Sequence, residues 1–296
     1  MMKSKIRIGS RDSRLAIAQA EIIRNGIQRN HPELQTEIVT MKTTGDRILG
    51  KSLEAIGGKG LFVKELDMAL RDGRIDLAVH SLKDVPMEVP EDLPILACGK
   101  REDPRDVLVY RPGLTVLPES PLVGSSSRRR MLQMKALYKD VRFQGIRGNV
   151  QTRLKKLTEE GMDATILAAA GLNRLGMRNL AARYFSVEEM LPAAGQGILA
   201  VQGRKDMDRS LLKEIDDADS KACALAERGF VRELNGGCTL PAAAHAVRKG
   251  GSLILFGLYY REEDESWFKD RIAGAVWEAG ELGKRLACRM RERGGA

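Results

Sequence analysis

Four side chains of chemical interest stand together in Val79-His80-Ser81-Leu82-Lys83-Asp84-Val85-Pro86. Lys83 and Asp84 are adjacent, so a cation and a carboxylate share one mouth. The preceding run, Ile75-Asp76-Leu77-Ala78-Val79, reads as a short buried strand, and Pro86 forbids ordinary continuation. The polar cluster therefore falls at the carboxyl end of a strand, where open α/β sheets take ligands. Taken by itself the stretch also reads as a solvated turn, because loops are commonly polar. The case for chemistry rests on what the rest of the chain places beside it.

Cations recur after other strands. Lys5–Gly9 alternates as a strand does, Asp12 or Ser13 can cap the helix Leu15–Ile27, and Arg11 lies between them. Leu122–Gly124 leads to Ser125-Ser126-Ser127 and a helix that begins Arg128-Arg129-Arg130. Three cations at a helix N-terminus oppose the macrodipole at roughly 0.3–1 kcal/mol each, so a bound anion is expected there. A solvated cluster or a nucleic-acid patch is the plainer alternative. Val141–Gln144 is followed by the turn Gly145–Asn149, which carries Arg147, and then by a helix with Arg153 on its first turn. Ala164–Leu167 leads to the short helix Ala168–Leu175 with Arg174, and Gly195-Gln196-Gly197 precedes the apolar strand Ile198–Val201.

These motifs require elements that hold them. Strand, polar motif and helix recur at least four times, which predicts two α/β domains with strand ends facing a shared cleft. Arg11, Lys83, Arg129, Arg130, Arg147 and Arg153 are expected to point into it. Between Thr43 and Gly60 lies a glycine-rich stretch with Lys51 and Lys59, read as a lid or a disordered loop. After Asp206 the character changes: Leu211–Leu234 reads as mostly helical, Ala242–Val247, Leu253–Tyr260 and Phe268–Val276 as strands, and Glu278–Arg293 as a closing helix. This is a small α+β domain. Cys238 stands on a Gly-Gly turn as an accessible thiol, although burial is the commoner fate of free cysteine.

Composition narrows the function. The 296 residues are 43% hydrophobic and 30% charged, enough for a core and a well-solvated surface. No run approaches a membrane span, and the start lacks a secretory pattern, so a cytoplasmic protein is expected. Four scattered cysteines (Cys98, Cys223, Cys238, Cys288) and three histidines argue against a metal site and against disulfides. The net charge of +9 suits an anionic partner, yet aromatics at 4% are poor for stacking on single-stranded bases. A nucleic-acid surface would be one stripe or helix, whereas cations from many strand ends suit separate carboxylates gripped bidentately.

The order of motifs resembles the porphobilinogen deaminase (hydroxymethylbilane synthase) family almost end to end. The resemblance is carried by Gly57–Leu66, Val79–Pro86, Arg101–Asp106, Arg147–Val150, Leu191–Gly197 and Asn235–Pro241. It implies a transferase that condenses four porphobilinogen molecules head to tail with loss of ammonia and releases linear hydroxymethylbilane. It implies a dipyrromethane cofactor joined to Cys238 by a thioether, and a monomer with no nucleic-acid or membrane partner. The implied fold is α/β, with two domains like type II periplasmic binding proteins and a small C-terminal α+β domain. The domain boundaries are 1–99 with 194–216, 100–193 and 217–296. Asp84 matches the catalytic carboxylate. Lys83, Asp84, Ser126, Ser127, Arg129, Arg130 and Arg153 match cofactor-binding positions. Arg11, Ser13, Gln19, Arg147, Arg153, Arg174 and Gln196 match substrate-binding positions.

The chain departs from the family pattern at three places. It reads Gly124-Ser-Ser-Ser-Arg-Arg-Arg where Gly-Thr-Ser-Ser-Leu-Arg-Arg is usual, Arg14 where Pro is frequent, and Gln202 where Glu is usual. Two rival readings remain: a non-catalytic carboxylate-binding protein of the same two-lobed build, and a basic nucleic-acid-binding protein. The first would need neither Cys238 nor Asp84, and the second would bind polynucleotide with strong salt dependence.

Overall fold

The computed structural model describes residues 5–43, 63–234, 241–261 and 266–294. The chain first forms β1 (Lys5–Arg11), α1 (Arg14–Asn30), β2 (Gln35–Met41), α2 (Lys64–Arg71), β3 (Leu77–Ser81) and β4 (Ile95–Cys98). It continues through β5 (Asp106–Tyr110), β6 (Leu122–Gly124), α3 (Arg128–Leu137), β7 (Arg142–Gln144), α4 (Val150–Glu159), β8 (Ala164–Ala168), α5 (Ala169–Arg174) and β9 (Arg183–Tyr184). After β10 (Leu199–Gly203) come α6 (Ala218–Glu233), β11 (Ala243–Lys249), β12 (Ser252–Tyr260), β13 (Trp267–Ala275) and α7 (Ala279–Gly294).

These elements make two compact units, 1–102 with 198–221 and 103–197 with 222–296. The first unit is built on a five-stranded sheet of order β2-β1-β3-β10-β4. β1 is parallel to β2 and β3, and β10 runs antiparallel to β3 and β4. α1 covers this sheet because Ala16, Ala20, Ile23 and Ile27 recur at helical spacing and are buried. Ala20, Ile23 and Ile27 join Ile6, Ile8, Leu77 and Val79 in one core, where burying each isoleucine contributes ~1.5–3 kcal/mol.

The second unit holds a five-stranded sheet of order β7-β6-β8-β5-β9 and a three-stranded antiparallel sheet β11-β12-β13. Gly195 and Gly197 take φ of +75° and +89°, the left-handed region that favours glycine, on either side of Gln196.

Local differences from expectation have physical causes. β3 begins at Leu77 and runs through His80 and Ser81, because antiparallel pairing with β10 continues to Ser81 opposite Leu199. Ser13 is the N-cap of α1. Residues 211–234 are not one helix: a 3₁₀ turn spans Arg209–Leu212, and α6 starts only at Ala218. The stretch between is tied off by Asp216 and Asp217, which bond the backbone of Cys98 and Ser220. Cys98 and Cys223 are buried, and Cys288 is half-buried.

Candidate functional site

In the first unit β1 and β3 run parallel, with Ile8 beside Leu77 and Gly9 beside Ala78. Arg11, the last residue of β1 and not the expected linker residue, and the Leu82–Asp84 turn after β3 therefore lie at the carboxyl edge of the sheet, on neighbouring strands. The turn is 3₁₀, and its backbone is fixed by bonds from Leu82 N–H to Ile198 O (3.0 Å) and from Val85 N–H to Leu82 O (3.1 Å). On this fixed base Asp84 is exposed and Lys83 half-buried. Of the two polar residues expected nearby, Ser13 accepts the Ala16 N–H at 3.3 Å, and Gln19 is buried and donates to Ser81 Oγ at 2.9 Å. His80 does not join the open mouth. Burial pushes its imidazole down to about 4, against a hydrogen bond with Gln202 and the charge of Asp84, while Arg11 pushes the same way as burial.

In the second unit the polar turns again follow parallel strands. Ser126 Oγ accepts the Ile146 N–H at 2.9 Å and donates to Ile146 O at 3.0 Å, stitching the turn after β6 to the turn after β7. Arg147 follows directly and is half-buried. Gly148 has φ of +114°, and Asn149 caps α4 by accepting the Thr152 N–H at 2.9 Å. Arg153 folds back to bond Gly148 O at 2.9 Å, and Arg174 donates to Gly197 O at 2.6 Å. Ser127 is the N-cap residue of α3, its own N–H bonded to Ser125 Oγ at 3.2 Å. Exposed Arg128 stands 5.7 Å over the ring of Tyr260.

Arg129 and Arg130, expected to point toward a bound anion, are buried and paired within the chain. They are 6% and 7% exposed, and their anion is the chain's own Asp106 at 2.8 and 2.7 Å. Arg129 also bonds Leu191 O and Arg130 bonds Ile166 O. Burial pulls the Arg129 guanidinium below its ordinary value, and Asp106 opposes this. Gln196, expected to meet substrate, is 1% exposed and donates to Pro104 O at 2.7 Å and to Asp106 at 3.1 Å.

Two carboxylates went unread in the sequence. Asp106 opens the apolar run Val107-Leu108-Val109, so its burial had a local signal. Glu227 had a weaker one, being a single acid on the Ala-rich face of α6. It is fully buried and accepts the N–H groups of Gly195 and Ala246, both at 2.7 Å, joining the glycine turn to β11. Cys238 and the glycine-rich stretch up to Phe62 lie outside the described residues, apart from Thr43 at its start.

The family model described as porphobilinogen deaminase, dipyromethane cofactor binding domain, matches residues 6–214, and the one described as porphobilinogen deaminase, C-terminal domain, matches 221–292. Among curated proteins, the porphobilinogen deaminase of Ruminiclostridium cellulolyticum is 50% identical over 97% of this chain and 97% of its own. That of Acetivibrio thermocellus is 48% identical over 97% of this chain and 98% of its own. A solved structure of the periplasmic aliphatic sulphonate binding protein SsuA from Escherichia coli covers 79% of this chain and 71% of its own, at 11% identity and a TM-score of 0.39. No helix among the described residues is long and apolar enough to cross a membrane.

Proposed function

This chain belongs to the porphobilinogen deaminase family, transferases with a dipyrromethane cofactor-binding domain, and we propose how its own residues carry the reaction. Four porphobilinogen units are joined head to tail with loss of ammonia, and linear hydroxymethylbilane is released. Each unit carries cations of the kind that suit a dipyrromethane's carboxylates: in the first, Arg11 ends β1 and Lys83 lies in the 3₁₀ turn, and in the second, Arg147 lies in a turn, Arg153 in α4 and Arg174 at the end of α5. Ser126, Ser127 and Arg153 belong to the turns that would hold it, with Cys238 as its covalent anchor. When bound, the group supplies the pyrrole end to which each new unit is joined.

Asp84 is the catalytic residue in this reading. As the amine leaves porphobilinogen, the pyrrole becomes electron-poor, and a fixed carboxylate stabilises the developing positive charge. Asp84 also hands a proton to the departing amine and takes one from the new linkage. The observation that carries this is the exposure of Asp84 on a backbone-clamped turn, at the same sheet edge as Arg11. Charge-assisted hydrogen bonds contribute roughly 1.5–3 kcal/mol each, so several cations hold an oligomer through successive additions. Arg129, Arg130 and Gln196 act through Asp106, fixing the start of α3 and with it Ser126 and Ser127. Ser13 and Gln19 likewise set the positions of α1 and Ser81.

The division into 1–99 with 194–216, 100–193 and 217–296 is kept, supported by one sheet falling in each part. The protein is taken to act as a cytoplasmic monomer on a small-molecule substrate, without nucleic acid. Intact-mass measurement tests the anchor: wild type should exceed Cys238→Ala by two pyrrole units beyond the substitution itself. Equal masses, corrected for that substitution, overturn the assignment.

A further inference from the structure

A cleft of about 380 Å³ opens in the second unit, between the segment that follows β9 and strands β12 and β13. Its volume lies in the range of small-molecule sites. Val187, Leu191 and Phe256 give it an apolar wall, and Lys269, Arg271 and Glu188 give it charge. Lys269 and Arg271 stand two residues apart on β13, so they share one face, about 6.5 Å apart along the strand. Asp270 between them turns to the other face, where Arg289 and Arg293 of α7 take its charge at 2.9 Å each. Lys269 Nζ donates to the carbonyls of Glu188 at 2.6 Å and Glu189 at 3.4 Å. An ammonium has three N–H groups, so one is left over. Burial draws this ammonium below its ordinary value, and Glu188 opposes the shift. Arg271 is exposed, and only its backbone is bonded, to Asp270 and Arg289. Its guanidinium has no hydrogen bond or ion pair among the described residues.

We propose that this cleft is a second binding site for porphobilinogen, where the molecule is held and not consumed. The choice of ligand rests on the family's reaction; the cleft itself does not. Porphobilinogen is a flat pyrrole with an acetate and a propionate on neighbouring carbons and an aminomethyl group beside them. It brings two negative charges and one positive charge to a cleft that offers two positive and one negative. Arg271 grips one carboxylate with its planar fork, and the remaining N–H of Lys269 takes the other. Glu188 meets the ammonium, and the ring lies on Phe256 and Leu191. An apolar ligand would leave both cations unspent. A small inorganic anion would leave the apolar wall bare and face Glu188. None of these side chains is among those assigned to the reaction, and Asp84 belongs to the other unit.

The chain has two tryptophans, and Trp267 lies beside the cleft, its ring centre 5.6 Å from Lys269 Nζ. Trp277 is 86% exposed, so Trp277→Phe leaves Trp267 as the reporter. The cofactor-loaded Trp277→Phe protein is titrated with two probes. One is porphobilinogen, read on rapid mixing before turnover. The other is the same pyrrole dicarboxylate with methyl in place of aminomethyl, which has no ammonia to lose. Both should change Trp267 emission saturably. Arg271→Gln should weaken both by about 10-fold or more, the loss of a charge-assisted pair. Its urea midpoint should match the parent, because no described group bonds that guanidinium. Glu188→Gln should weaken porphobilinogen by a similar factor and leave the methyl probe as tight or tighter. Emission that does not saturate, a midpoint unmoved in Arg271→Gln, or an equal loss of both probes in Glu188→Gln overturns the proposal. The reaction is read separately, as ammonia released. Normal release with a silent Trp267 sinks the cleft alone, whereas no release with saturable emission sinks the reaction and supports the cleft.

Discussion

The two five-stranded sheets repeat one plan: three parallel strands with the earliest in the middle, then an antiparallel strand, then a final edge strand. Each also buries an aspartate between two arginines, but at opposite ends. Asp76 lies just before β3, held by the N–H of Arg7 at 2.9 Å, the Arg7 guanidinium at 3.1 Å and Arg204 at 3.5 Å. Asp106 opens β5 opposite Ala168, the last residue of β8, and so lies at the carboxyl end of the parallel strands. In the first sheet the ion cluster secures the amino end, and the carboxyl end is left to Lys83 and Asp84. In the second, the cluster occupies the carboxyl end and takes up Arg129, Arg130 and Gln196. One sheet thus presents an exposed acid, Asp84, and the other a scaffold that carries Arg147 and, on α4, Arg153.

That contrast can be broken most sharply at Asp84. Asp84→Ala should lower turnover by about 10²–10⁴-fold in single-turnover kinetics while substrate still binds, the span expected for a lost acid–base group. Near-normal turnover would erase the functional asymmetry between the sheets. Next come the buried carboxylates. Asp106→Ala and Asp76→Ala should each cost ~3–5 kcal/mol in urea unfolding, because each strands buried or half-buried arginines. The milder Asp106→Asn should raise KM, whereas Asp76→Asn should not. An equal effect on KM would mean that their positions along the strands do not matter.

Acid should weaken the first sheet through His80. Its folded value is about 4, below the ordinary 6.5, so the unfolded state binds the proton more readily. This contribution is fully present above about pH 6.5 and is lost as pH falls toward about 4, by up to ~3 kcal/mol. His80→Gln should flatten the pH dependence of the unfolding midpoint over that window, and an unchanged slope would contradict it. The smallest effects concern helix starts. Ser13→Ala and Asn149→Ala should each cost ~1 kcal/mol, since each removes one side-chain cap. A much larger loss at either would reveal a second role at that strand end.

Much of this was legible in order along the chain. The strand-then-polar-turn rhythm located Asp84, Arg147 and Arg153 after strands, because pleat and helix periods are local properties of neighbouring residues, whereas Arg11 is still part of β1, opposite Met41. The motifs at Val79–Pro86 and Asn235–Pro241 pointed to the family for the same reason: each is a short contiguous signature. Charge count showed that an anionic partner was in question.

Tertiary structure decided which charges are spent inside the protein. Arg129, Arg130 and Gln196 look identical in sequence to solvated polar groups, and only the fold brings Asp106, 23 residues or more away along the chain, against all three. His80 sits three residues before Lys83, yet pairing of β3 with β10 buries it against Gln202. Electrostatic partnership depends on distance through space and on exclusion of water. Neither is set until distant strands pair, so the sequence determined the kinds of groups and their local frames, and the fold determined which of them are paired inside the protein.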